Sequence, residues 1–383
     1  MADKNGFYWR RETENQVDFV VLGARGARHE LEAWIAPAIG ANLCRFVVDG
    51  RDVIGYDPEV LRSGGFTGTP VLYPTPNRVR GGVFTYKGAQ YHQIKRGRRV
   101  TEHGLVYEEP WAFGEPVVSA DAVSFAAWQD FCEGSALFAA FPFDHRMTLR
   151  FALYGDGVEV TYAIENRGGD ALPFGFGLHP YFIKLGGESK TYVKMPARYV
   201  MKNTPDLLPT GELEAVEGTV YDLGEPKSIG SVGLDDVFTG IPGAGPANAV
   251  YGGDNARGGD NAGGGEPEGA EPAGAKPAGG GAHVDAGGDN ADGDVSGVSF
   301  AEVEYKNLGY KIVLKATADF THLIVYVPAG EEFFCVENQT CSTDAHNMYD
   351  KGFEVESGLK FVCAGHTHSG SVKYAVEDTK DMA

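Results

Sequence analysis

Large apolar side chains alternate with polar or small ones through the most regular stretches of this chain, and that period of two commits it to sheet structure. In Val158-Glu159-Val160-Thr161-Tyr162-Ala163-Ile164-Glu165 the alternation is nearly unbroken, and Tyr310-Lys311-Ile312-Val313-Leu314-Lys315 comes close to repeating it. A strand sends successive side chains to opposite faces, so such segments bury one face and wet the other. Two apolar runs flank Asp49-Gly50 between Cys44 and Ile54, and two more flank Lys87-Gly88 between Val83 and Tyr91. Each pair predicts a hairpin, with glycine supplying positive φ. No long segment carries a convincing helical period. The chain is therefore predicted to be all-β, with many antiparallel strands packed as a sandwich.

At 383 residues the chain is long enough for two average domains or for one large all-β domain. Its 43% hydrophobic and 11% aromatic content is enough for a sizeable core. One segment departs from this pattern. From about Gly243 to Gly297 the residues are mostly Gly, Ala, Pro, Asp, Asn and Glu, with nine acidic side chains against Arg257 and Lys276. So little apolar surface cannot offset chain entropy, which predicts a disordered insertion in an otherwise single domain formed by 1–242 and 298–383. The near-repeats Gly252 to Ala256, Gly258 to Ala262 and Gly287 to Ala291 resemble calcium-binding nonapeptides only superficially. Their spacing is irregular, and the apolar residue each repeat needs is missing.

A formal net charge of -20 argues against nucleic acid or an anionic membrane as a partner, because both demand clustered Lys and Arg. Five scattered cysteines do not form a secreted disulfide framework. Residues 1–20 are crowded with charge rather than built around an apolar signal core, and no uncharged apolar run reaches membrane-spanning length. The expectation is a soluble, cytoplasmic protein acting on a small neutral molecule.

Two islands set a titratable side chain among apolar and aromatic neighbours: Gly177-Leu178-His179-Pro180-Tyr181-Phe182 and Cys335-Val336-Glu337-Asn338-Gln339-Thr340. Partial desolvation can bring a His and a Glu toward useful acid/base behaviour. Two further islands precede them, Thr75-Pro76-Asn77-Arg78-Val79-Arg80-Gly81-Gly82 and Glu102-His103-Gly104-Leu105-Val106. A fifth, Leu234-Asp235-Asp236-Val237-Phe238, lies between the first pair. In this order, with the turn Leu208-Pro209-Thr210-Gly211, they resemble the aldose 1-epimerase (galactose mutarotase) family from roughly residue 30 to 365.

The resemblance implies a single-domain β-supersandwich enzyme that interconverts the α and β anomers of a free hexose without a cofactor. By motif, His179 matches the general acid that protonates the ring oxygen, and Glu337 the base that deprotonates the anomeric hydroxyl. His103 matches a second histidine near the ring oxygen. Asn77, Arg78 and Asp235 match sugar-binding positions. The family pattern places His after the Asp, whereas this chain has Asp236, so the register of the pair is open between Asp235 and Asp236. The chemistry independently asks for two such groups, because ring opening removes a proton from one oxygen and delivers another to its neighbour.

Other readings accompany this one. Cys341, Cys363, His366 and His368 include a His-x-His pair capable of binding zinc, although a solvated edge explains it more simply. Lys95-Arg96-Gly97-Arg98-Arg99 fits either recognition of a sugar phosphate, as in a hexose-6-phosphate epimerase, or a solvated loop. Glu337 paired with Asp235 would suit a glycoside hydrolase. A non-catalytic carbohydrate-binding sandwich would hold sugar without accelerating its exchange.

Overall fold

The computed structural model describes residues 6–25, 28–245, 249–252 and 299–379. Among these residues, two large sheets dominate. The first has thirteen strands and runs from Phe7–Glu14 at one edge to Pro209–Ala215 at the other. The second has ten, from Ala112–Phe113 to Lys227–Ser228, with Gly157–Asn166 and Thr367–Asp378 paired near its middle. Val20, Leu22 and Phe46 of the first sheet and Phe125, Leu149 and Val160 of the second belong to one apolar core, which makes the molecule a sandwich.

The alternating segments lie where their period places them. Val158, Val160, Tyr162 and Ile164 are buried, whereas Glu165 is exposed. Both predicted hairpins form. Asn42–Val48 turns into Arg51–Ile54 through Asp49 and Gly50, at φ 49° and 76°, and Val83–Tyr86 turns into Ala89–His92 through Lys87 and Gly88, at the same pair of angles. Positive φ at both central residues suits the right-handed twist of the flanking strands.

Two expectations need correction. The low-complexity segment does not begin at Gly243, because residues 243–245 and 249–252 are placed in the fold. Val250–Tyr251 pairs in parallel with Lys360–Val362, and Tyr251 is buried with its ring stacked 3.3 Å from that of His368. These two residues have apolar surface to bury, unlike the sequence after them. The remainder of the expected insertion lies outside the described residues. Of the C-terminal His-x-His pair, His366 is exposed as expected, but His368 is not. His368 is buried on Thr367–Asp378, an interior strand of its sheet, with Nε2 3.4 Å from Asp319 Oδ2. No group of three or more His, Cys, Asp or Glu side chains among the described residues is arranged to hold a metal ion. No helix among them is long and apolar enough to cross a membrane.

Candidate active site

The site grows from an interrupted ladder. Strand Phe333–Gln339 pairs on one side with two short strands, Gly177–Leu178 and Tyr181–Ile183, in registers Gly177↔Gln339, Leu178↔Asn338 and Tyr181↔Cys335. The register is continuous, so it places His179 opposite Glu337 and Pro180 opposite Val336. Proline has no N–H to donate, and the ladder opens at this point. The His179 and Tyr181 amides instead donate to the carbonyls of Pro70 and Gly68, at 3.2 and 2.8 Å. Opposite residues share a face, so the imidazole and the carboxyl meet, with Nε2 to Oε1 at 3.2 Å.

On the other side, His322–Tyr326 and Asp235–Thr239 extend the same surface in the registers Tyr326↔Cys335, Ile324↔Glu337 and Asp235↔Tyr326. Asp235 therefore lies on the Glu337 face, one row away. Asp236 opposes Val325 and shares the opposite face with it, where Val325, Val336 and Phe238 are core residues. Period two thus resolves the Asp-Asp pair in favour of Asp235 as the residue on the site's face.

A loop pair supplies the remaining residues. Arg78 and Glu102 form a single antiparallel bridge, and the His103 amide donates to the Asn77 carbonyl at 2.8 Å. Asn77 and His103 adopt positive φ, 58° and 57°, a conformation that Asn and His tolerate better than most residues. Gly104, at φ 75°, lies against Tyr73, where a Cβ would come within 2.2 Å of the Tyr73 carbonyl oxygen. His103 is held edge-on to His179, with ring centroids 5.3 Å apart, while the Tyr181 ring stacks on His179 at 5.0 Å.

Asn77 spends its side-chain oxygen on Arg78. Its Oδ1 accepts from both the Arg78 amide, at 2.8 Å, and the guanidinium, at 3.2 Å. It therefore orients Arg78, whose other end lies 3.4 Å from Glu102. Gln339 was not singled out by motif, although its place two residues after Glu337 puts it on the same face. Its amide donates to Glu337 Oε2 at 2.9 Å, and its own Oε1 is buried without a partner among the described residues. Gln339 also accounts for Gly177, where a Cβ would come within 2.9 Å of its Cγ. Phe66, edge-on to His103 at 4.4 Å, carried no sequence signal at all.

Burial dominates the electrostatics. It pulls the His179 imidazole down to about 4 and pushes the Glu337 carboxyl well above the usual range, against the opposing hydrogen bond from Gln339, with Asp235 and Glu102 adding smaller increments to the rise and Arg78 opposing it least. His103 is also held well below its usual value, first by burial and then by His179 and Arg78. Between the two limits the buried His179–Glu337 pair holds one proton. The Nδ1 atoms of His103 and His179 are buried without a hydrogen-bond partner among the described residues.

The aldose 1-epimerase family model matches residues 28–258. This chain belongs to that family. Among curated proteins, it is 26% identical over 205 residues to the uncharacterized protein YihR of Escherichia coli K12, covering 52% of this chain and 63% of that one. It is 27% identical over 165 residues to human galactose mutarotase, covering 42% of this chain and 46% of the relative. The chain thus aligns with about half the length of these relatives. A galactose mutarotase-like protein from Clostridium acetobutylicum shares the fold, with a TM-score of 0.71, 18% identity and coverage of 98% of this chain and 99% of that one. The galactose 1-epimerase from Lactobacillus acidophilus matches with a TM-score of 0.63, 15% identity and coverage of 97% and 99%. At these identities the solved structures speak to fold, and the expected mutarotase-like β-sandwich is the observed one.

Proposed function

We propose that this aldose 1-epimerase family member interconverts the α and β anomers of an aldose by acid/base ring opening. The observation that carries the reading is the His179–Glu337 pair, buried face to face at 3.2 Å across the opened ladder. Glu337 takes the proton from the anomeric hydroxyl as the C1–O1 bond gains double-bond character. The C1 to ring-oxygen bond breaks, its electron pair goes to the ring oxygen, and His179 protonates that oxygen. After rotation about the C1–C2 bond, the aldehyde recloses on its other face with the roles exchanged.

The proton balance of the pair supports this reading. Ring opening starts from carboxylate and imidazolium and ends with carboxylic acid and imidazole, and each state carries one proton on the pair. Burial favours the uncharged arrangement, which is the protonation state of the open-chain intermediate. Sugar hydroxyls that donate to Glu337 bring the charged arrangement within reach when substrate binds. His103 lies beside the same imidazole, and Arg78 and Asp235, whose charges act on Glu337, serve as hydroxyl-binding groups.

Polarimetry on freshly dissolved α-D-glucose and α-D-galactose tests the proposal. Acceleration of either approach to equilibrium, without added cofactor, is the expected result. Sugar binding without acceleration would instead favour the non-catalytic reading.

A further inference from the structure

The loop that carries Asn77 and Arg78 has little backbone preference of its own. Asn77, Gly81 and Gly82 adopt positive φ, 58°, 60° and 61°, and Arg80–Gly82 forms no more than a short helical turn. Its shape is therefore set by where its backbone hydrogen bonds go. On one side they go to the segment around His103: the Val79 amide donates to the Thr101 carbonyl at 2.7 Å, and the His103 amide to the Asn77 carbonyl at 2.8 Å. On the other side they go to Asp344. Its amide donates to the Arg78 carbonyl at 2.9 Å, and its Oδ1 accepts from the Arg80 amide at 3.0 Å. The same oxygen accepts from Asn347 Nδ2 at 2.7 Å, and the Asn347 side chain also bonds the Val83 carbonyl and the Thr85 amide, at 2.9 and 3.2 Å.

The helix that follows Asp344 does not explain this arrangement. Asp344 precedes Ala345–Asp350, a position where Asp ordinarily caps the first turn, yet its carboxylate makes no capping hydrogen bond there. Its backbone is left-handed, at φ 55° and ψ 29°, which is a strained conformation for any residue but glycine. A buried aspartate that accepts strain and spends its carboxyl oxygen on a distant loop, instead of on its own helix, has its task in that loop. Chain connectivity shows what the task is. Every residue from Glu337 to Asp344 is buried, and the Thr340 and Ser342 amides tie the segment to the Phe176 and Ser357 carbonyls, both at 2.8 Å. One packed stretch thus carries Glu337 at one end and the anchor of the Arg78 loop at the other.

We propose that Asp344 is a positioning residue: it pins the main chain on both sides of Val79 and so fixes the Arg78 guanidinium relative to Glu337. The proposal rests on the anomer-exchange reading, in which Arg78 binds a sugar hydroxyl while Glu337 takes the anomeric proton. Asp344 acts through Arg78 rather than on the sugar, so its loss weakens substrate binding more than it slows the proton transfers.

Two-dimensional exchange NMR on whichever of glucose or galactose the wild-type protein accelerates tests it. Asp344→Ala should raise KM about tenfold, the size expected when one charge-assisted hydrogen bond is weakened, with kcat within about threefold. Asp344→Asn keeps the accepting oxygen and tolerates left-handed backbone, so its KM should stay within about threefold of wild type. In an Arg78→Ala background, Asp344→Ala should change KM less than about twofold, because the two residues act as one unit. A merely structural role predicts the same loss in both backgrounds. Should Asp344→Ala not fold, Asp344→Gly removes the same acceptor while relieving the left-handed backbone. Unchanged KM in a folded Ala or Gly variant, or additive losses in the double variant, overturns the proposal and leaves the acid/base reading intact. If the wild-type protein accelerates no sugar, that reading fails, and hydrogen exchange judges the clamp separately. Amides of residues 78–85 that lose protection in Asp344→Ala but not in Asp344→Asn support it, and equal protection in all three proteins overturns it.

Discussion

A shift of one position along Phe333–Gln339 would carry the carboxyl of Glu337 to the other face of the sheet, among Val325, Val336 and Phe238. The acid/base proposal therefore depends on this residue and its partner more than on the loops around them. We expect Glu337→Gln to lower anomer exchange at least about a hundredfold while sugar binding survives, because a general base is lost and a similarly shaped group remains. His179→Asn should lose a comparable factor. If only the histidine variant fails, the base is another carboxylate, and Asp235 is the nearest on that face. The pair also sets a pH profile. Below about pH 4 His179 and Glu337 are both protonated and no base remains, whereas above the raised carboxyl value the last proton has left and no acid remains. The expected kcat/KM profile is a bell whose acid limb lies near 4 and whose alkaline limb lies well above the ordinary glutamate range. Polarimetric rates across pH check it, and an acid limb at an unshifted histidine value of about 6.5 would contradict it.

At the scale of elements, the strands with clear alternation and the two-residue hairpins were legible because their signals are local. What the sequence left hidden depended on pairing. The opposition of His179 and Glu337 follows from a register between segments more than 150 residues apart, and the choice between Asp235 and Asp236 follows from which of them shares a face with Glu337. Burial of His368 was hidden for the same reason, since its neighbours Asp319 and Tyr251 come from distant parts of the chain. Asn77, Arg78 and His103 were legible as islands, yet the hydrogen bonds by which Asn77 orients Arg78 were not. Tyr251 leads to a test of the revised boundary. A deletion of 253–298 retains its stack on His368, while a deletion of 243–297 removes it. The longer deletion should be less stable by about 3 kcal/mol, the cost typical of losing a large buried aromatic side chain, whereas loop length itself changes stability only slowly. Equal denaturation midpoints and slopes for the two variants would show that Val250–Tyr251 contributes nothing to the sandwich.

Across the whole molecule, the same burial that shapes the site makes the fold sensitive to acid. His145 and His322 are held down to about 3, His179 and His346 to about 4, and His103 well below its usual value, in every case chiefly by desolvation. In the unfolded chain these side chains titrate near 6.5. Between that value and about 4 the unfolded state therefore binds more protons than the folded one, and stability rises with pH through this window and is lost as pH falls. Glu337, Asp236 and Asp344 act in the opposite sense, because burial raises their carboxyl values and the folded state holds the extra proton once pH exceeds the unfolded carboxyl range. Five histidines against three carboxyl groups leave a net uptake of at least about two protons on unfolding near pH 5. Denaturant melts from pH 7 down to 4 should show stability falling steeply below about pH 6, with the slope giving that proton count. His346→Gln lies outside the proposed acid/base pair, and it should flatten the slope by about one proton without moving the acid limb of the activity profile. A flat stability curve over this range would mean that the buried histidines retain ordinary proton affinity, and the low acid limb expected for the His179–Glu337 pair would fall with it.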